Sequence, residues 1–198
     1  MISNQNIQPK VLQFGEGNFL RAFVDWMIQK TNNALNLNMG VVVIQPLENG
    51  MVEKLKQQDC KYHVILEGIK NGQAIRETQE VECIIDAINP YTDYQKYKEY
   101  FLNPALEIII SNTTEAGISR LANVDIFAEP PVSFPAKIVA LLHERYNFYH
   151  GEKDKGLSII CCELIENNGS VLKEIILELA HENNLSSEFI NWVNEACS

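Results

Sequence analysis

The stretch Val11-Leu12-Gln13-Phe14-Gly15-Glu16-Gly17-Asn18-Phe19-Leu20-Arg21-Ala22 runs from an apolar segment through two glycines straight into a helical pattern. Strand, glycine turn and helix in that order suit a phosphate group. Glycine lets the backbone turn sharply and approach an anion with no Cβ between, and the helix start offers unpaired N–H groups to it. The spacing is that of a dinucleotide fingerprint with one member changed, because Leu20 stands where a third glycine would let helix pack closely on strand. On these residues alone an ordinary glycine turn is the alternative reading.

The chain around this stretch alternates strand and helix signals. Phe19, Leu20, Phe23, Val24, Met27 and Ile28 recur with a period near 3.6, which predicts a helix over 19–29 with that stripe lying on a sheet. The polar segment 31–38 predicts a turn, and residues 40–46 a second buried, parallel strand ending at Pro46. A short helix follows over 51–58. Then two extended stretches flank Asn71-Gly72, the dipeptide that suits a type I′ hairpin turn. Residues 80–88 read as one strand, and 92–101 as a helix capped by Thr92 or Asp93. Further strands are expected at 106–111 and 157–162, the latter buried, and GEKDKG (151–156) is a solvated turn. Helices are expected after the Pro-rich 128–135, over 170–183, and over 187–197 behind a serine cap. The fold class is therefore α/β: a doubly wound, mostly parallel sheet with an antiparallel hairpin excursion.

A chain of 198 residues, 46% of them hydrophobic, can bury one good-sized core. Sixteen basic against 26 acidic residues give a net charge of -10, which argues against nucleic acid or an anionic membrane as partner. The tyrosines and lysines of 92–101 are accordingly read as packing aromatics with solvated charges. Five cysteines without a CxxC pair suggest neither a disulfide framework nor a zinc knuckle and fit a reducing cytoplasm. His63, His143, His150 and His181 lack ligand spacing, so no metal is expected, and Cys161 and Cys162 fall on opposite faces of a strand. The N-terminus lacks the apolar core of a signal peptide, and no run approaches the ~20 residues that span a bilayer.

Three strand ends carry unusual polar sequences: the glycine turn, NTTEAG (112–117) and ELIENNG (163–169). Ligands of open parallel sheets collect beyond the carboxyl ends of the strands. Parallel strands would thus bring Arg21, Asn112, Thr113, Thr114, Glu115, Glu163 and Asn168 to one crevice. Each has a plain role too, as cap, first-turn charge or turn residue. The second strand ends at Gln45-Pro46 where an acidic residue often holds the ribose. Glu48 is the nearest substitute, which leaves NAD against NADP open.

Four blocks in order, QFGEGNFLRAF (13–23), SNTTEAGIS (111–119), SFPAKIVALLHERY (133–146) and CELIENNG (162–169), resemble the long-chain mannitol dehydrogenase family, over about Lys10 to the C-terminus. Mannitol-type members read CDN where this chain has Cys162-Glu163-Leu164, and CEL is the reading of the family's uronate branch. The resemblance implies an NAD-binding Rossmann-type domain over 1–185 and, over 186–198, a helix leading into a C-terminal substrate domain absent from this chain. It implies metal-independent hydride transfer that reduces a small sugar acid, tagaturonate, to altronate. Mannitol or fructuronate are alternative substrates, and a stand-alone nucleotide-sensing module is the alternative outside the enzyme class. Cofactor contacts are implied at Phe14, Gly15, Glu16, Gly17, Asn18, Phe19, Leu20, Arg21 and Ala22, with Asn112, Thr113 and Thr114, the TTE block lying near the nicotinamide. Glu115, Glu163 and Asn168 are candidates on the substrate side. The family's general acid/base lysine falls beyond Ser198, so no catalytic residue is expected here. For want of its partner domain, the stripe Phe189, Trp192, Val193 and Ala196 is expected to be exposed.

Overall fold

The computed structural model describes residues 7–114 and 116–198; Glu115, a substrate-side candidate, lies outside them. β1 (Gln8–Phe14) is followed by α1 (Asn18–Leu35), β2 (Met39–Ile44) and α2 (Val52–Gln57). β3 (Tyr62–Lys70) and β4 (Gln73–Val81) come next, then β5 (Ile84–Ile88), α3 (Tyr94–Phe101), β6 (Ile108–Ser111) and α4 (Phe134–Phe148). A short 3-10 turn (Lys153–Lys155), β7 (Ser158–Cys161), α5 (Asn168–Glu182) and α6 (Ser187–Ala196) complete the described elements. Five strands form a parallel sheet in the order β5-β2-β1-β6-β7, and β3 and β4 form a separate antiparallel pair. From β1 the chain winds outward through β2 to β5 and then returns to β6 on the other side. The strand order therefore reverses beside the carboxyl end of β1.

Successive strand residues point to opposite faces, so each central strand feeds two cores. Leu12, Phe14, Val42, Ile44 and Ile109 meet α3, α4, α5 and α6 on one face. Val11, Val41, Val43 and Ile110 meet α1, α2 and the hairpin on the other. Asn71 (φ 53°) and Gly72 (φ 78°) take the left-handed conformations that a type I′ turn needs. The Asp93 carboxylate accepts from the Lys96 N–H as the cap of α3, and Ser186 caps α6.

Several expectations need correction. α1 runs six residues past the predicted end, because polar residues of its last turns bond backbone groups, one within the helix and one at the start of β2. Thr31 Oγ1 donates to Met27 O, and the Asn32 side chain both donates to and accepts from the Met39 backbone. The helix ends at Asn36, left-handed at φ 52°. Only half of the α1 stripe lies on the sheet. Leu20, Val24 and Ile28 are buried, whereas Phe19, Phe23 and Met27 are 49%, 48% and 39% exposed. The expected strand 80–88 is two, since Val81 ends the hairpin while Glu82 N–H turns aside to Gln29 Oε1. β7 is an edge strand with Ile160 48% exposed, not a buried one. The apolar stripe of α6 is covered by this chain itself. Phe189 and Trp192 pack on Tyr146 of α4, and Phe189, Trp192 and Val193 are all buried.

Candidate functional site

The site grows from the reversal point beside β1. Gly15 sits at φ +124°, and a Cβ there would stand 2.8 Å from the Asn112 carbonyl oxygen. Glycine is therefore what lets the ends of β1 and β6 approach each other. Gly17 is the N-cap of α1, and nothing lies within 4 Å of where its Cβ would stand. No side chain caps this helix. Its first-turn N–H groups have no intrahelical partner and form the positive end of the helix dipole. Leu20, in place of a third glycine, fills the helix–strand contact and is itself buried.

Arg21 is folded back over this turn. Its Nε donates to Glu16 O at 3.0 Å and its Nη2 to Asn18 Oδ1 at 2.5 Å, and the guanidinium lies 5.5 Å from the Tyr62 ring centroid. No carboxylate among the described residues forms an ion pair with it. A guanidinium in no ion-pair contact among the described residues, beside an uncapped helix start, is a place for an anion. The Glu16 carboxylate turns the other way and accepts from the Met51 N–H ahead of α2.

On the other side of β1, the ends of β6 and β7 are joined through one buried carboxylate. Glu163 accepts from Ser111 Oγ at 3.1 Å, Thr113 N at 2.9 Å and Thr113 Oγ1 at 3.0 Å. Asn112 Nδ2 donates to Cys162 O, and Asn168 Nδ2 to the carbonyls of Cys161 and Glu163. Thr114 then adopts φ +77°, a left-handed conformation that costs a β-branched residue on the order of 1–3 kcal/mol. Phe19, Asn112, Thr114, Cys162, Glu163 and Leu164 line a cleft of about 310 Å³ at this point.

The structure thus brings Phe19, Asn112, Thr114 and Glu163 to one cleft and adds Cys162 and the 85% exposed Leu164. Arg21, Glu16 and Asn18 form the neighbouring glycine turn, and Ala22 is exposed one residue beyond Arg21. Phe14 and Leu20 lie in the core, and the Leu20 side chain packs beneath Gly15. Thr113 and Asn168 belong to the frame of the cleft and are not among its lining. Among the described residues no group of three or more His, Cys, Asp or Glu could hold a metal, the five cysteines are free, and no helix is long and apolar enough to cross a membrane.

Beneath the glycine turn lies a cluster that spacing did not reveal. Asp25, fully buried in α1, stands 3.4 Å from Gln13 Nε2 and 3.1 Å from the Tyr62 hydroxyl. That hydroxyl, with one proton, also lies 2.8 Å from Arg21 O, and both Asp25 Oδ1 and Gln13 Oε1 lack any donor. The cluster is short of protons. Burial pushes the Asp25 carboxyl up to about 7 despite the lowering effects of Tyr62, Gln13 and Arg21. The available signal was an acidic residue inside the face formed by Val24 and Ile28.

Residues 9–198 match the family model described as the mannitol dehydrogenase Rossmann domain. Altronate oxidoreductases of Phocaeicola vulgatus, Bacteroides thetaiotaomicron and Bacillus subtilis are 44%, 43% and 42% identical to the chain over 95%, 98% and 94% of it. The chain spans about two fifths of these relatives, covering 39%, 42% and 39% of their lengths. Among solved structures, a Pseudomonas fluorescens mannitol 2-dehydrogenase in ternary complex with NAD and D-mannitol matches 98% of the chain and 41% of its own, with TM-score 0.80 and 17% identity. A substrate-free D-sorbitol dehydrogenase matches 97% of the chain and 41% of its own, with TM-score 0.76 and 21% identity. At such identities the likeness concerns the fold.

Proposed function

Because the chain belongs to the mannitol dehydrogenase family, through that family's Rossmann domain, we propose that it is the cofactor-binding part of an NAD-dependent oxidoreductase that reduces tagaturonate to altronate. The observation that carries the nucleotide reading is the uncapped start of α1, with open space at Gly17 and an Arg21 that no carboxylate pairs. The first-turn N–H groups of α1 and the Arg21 guanidinium hold the pyrophosphate. Thr114, which lines the cleft, would present the face for the nicotinamide, and Thr113, fixed through Glu163, would position the turn behind it. When bound, the dinucleotide would supply a hydride from its nicotinamide to the carbonyl carbon of the substrate. Phe19 and Leu164 narrow the water's access to that face. The exposed Glu48, beyond the end of β2, favours the ribose hydroxyls of NAD over a 2′-phosphate. Glu163 and Asn168 act as positioning residues, since their polar atoms are taken up inside the fold. The proton for the carbonyl oxygen is assigned to the part of the polypeptide that the longer relatives possess. The substrate follows the name those relatives share, altronate oxidoreductase.

Titration with NADH, followed by fluorescence, tests the nucleotide reading. Binding is expected, and Arg21→Ala should weaken it about tenfold or more while leaving the unfolding midpoint in place. Absence of binding by the parent chain, or an Arg21→Ala variant that binds equally well, refutes it. The substrate assignment is tested on the complete protein with tagaturonate, fructuronate and fructose side by side, and highest kcat/KM on a ketose other than tagaturonate would overturn it.

A further inference from the structure

Lys137 is the feature that packing leaves unexplained. It sits at the end of the first turn of α4, 1% exposed, and among the described residues no carboxylate forms an ion pair with it. Its Nζ donates to the Tyr91 hydroxyl at 3.2 Å and lies 5.2 Å from the Tyr91 ring centroid. Burial pushes its ammonium down to about 8. A leucine or methionine would fill the same space without desolvating a charge, so the reason for a lysine must lie in what it holds.

It holds Tyr91 at the carboxyl ends of β2 and β5. Tyr91 stands three residues past the end of β5, and its hydroxyl is 3.4 Å from Pro46 O, two residues past the end of β2. Tyr91 N donates to Asn89 Oδ1, and Asn89 Nδ2 donates to Glu48 O, so the ring is tied to the loop that carries Glu48. Unlike Lys137, Tyr91 is only partly buried, and the same loop presents Leu47 at 66% exposure. Lys137 is in turn placed by the first turn of α4, where Phe134 packs 5.1 Å from the Phe14 ring, one residue before Gly15.

The sheet order places this ring relative to the glycine turn. β1, β2 and β5 are neighbours, so two strand spacings, about 10 Å, separate the end of β1 from the end of β5. A nucleoside bridges that span. A dinucleotide with its pyrophosphate at Gly17 and its nicotinamide at the cleft lined by Thr114 would send its other half across β2 toward β5. We propose that Tyr91, held by Lys137, is the aromatic surface against which the adenine of the bound dinucleotide stacks. This rests on the dinucleotide reading above and adds to it a named base platform and a positioning lysine.

The experiment compares three probes by calorimetry on the chain: NADH, AMP, and reduced nicotinamide mononucleotide, which lacks the adenine. Tyr91→Leu should weaken NADH and AMP by about 5- to 150-fold, the range for loss of one base–aromatic stack, and leave the mononucleotide unchanged. Tyr91→Phe keeps the ring and should stay closer to the parent than Tyr91→Leu. Lys137→Met should weaken NADH in the parent background and add nothing in the Tyr91→Leu background, because it acts through the ring. NADH affinity unaltered by Tyr91→Leu overturns this inference and leaves the dinucleotide reading standing, whereas a parent chain that binds no NADH removes the reading itself. Equal weakening of NADH and the mononucleotide by Lys137→Met would make it a structural residue only. Should Tyr91→Leu fail to fold, cross-relaxation between the adenine H2 or H8 and the Tyr91 ring protons of the parent decides the matter, and its absence in a saturated complex overturns the proposal.

Discussion

Asp25→Asn converts the proton shortage beneath the glycine turn into a measurable pH dependence. In the folded chain burial raises the Asp25 carboxyl from 3.8 to about 7. The folded state therefore holds a proton that the unfolded state has released anywhere between those values. The resulting stability is fully present below about pH 4 and is lost progressively as pH rises through about 7, beyond which the folded state must bury the charge. Roughly three decades of proton affinity, at 1.36 kcal/mol each, make the whole effect about 4 kcal/mol. Asparagine has no proton to lose. Its amide offers a permanent donor near Gln13 Oε1 and keeps an acceptor for Gln13 Nε2 and the Tyr62 hydroxyl. Urea unfolding of parent and variant at pH 5, 6, 7 and 8 isolates the group, because every other carboxylate titrates in both. The stability difference should shift in the variant's favour by roughly 3 kcal/mol between pH 5 and pH 8. Parallel pH profiles for the two proteins would refute the argument and mean that Asp25 is ionised in the fold at pH 5.

Two further substitutions probe the frame. Arg145 spends its buried guanidinium on the carbonyls of Lys155, Phe101, Asn103 and Leu106. Arg145→Met should cost about 3–5 kcal/mol in urea unfolding by stranding them, Arg145→Lys should recover less than half, and a loss below about 1 kcal/mol would count against this account. Glu163→Gln puts an N–H where Thr113 or Ser111 needs an acceptor. A loss of about 1–3 kcal/mol is expected, with faster hydrogen exchange at the Thr113 amide, and unchanged exchange there would show that the carboxylate does not hold the turn.

Much of the winding was readable because short-range rules fixed it locally. The glycine turn, Asn71-Gly72 and the Asp93 and Ser186 caps each fell where their chemistry demanded. The resemblance in four blocks led to the family that residues 9–198 match. What escaped depended on which partners the fold supplies, near in sequence or far. Thr31 and Asn32 look like a turn until Met27 and Met39 are there to receive them. β7 reads as buried by its composition, but its place at the edge follows only from strand order. The α6 stripe, expected bare, finds Tyr146 some forty residues away. In the site, the strand-end positions of Asn112, Thr114 and Glu163 were legible. That Glu163 would be consumed by Ser111 and Thr113, and that Tyr91 would reach across to Pro46, required the parallel register itself.

The hairpin of β3 and β4 stands outside the five-stranded sheet, and a lone two-stranded ribbon is marginal in water. Its order is borrowed. Val64 and Val81 dip into the smaller core, and the Tyr62 hydroxyl bonds the carbonyl of Arg21, in the first turn of α1. Linkage makes such a loan reciprocal. An anion bound as proposed at the first turn of α1 would also lower the frequency with which the ribbon comes loose, and the ribbon would then serve as a remote gauge of occupancy.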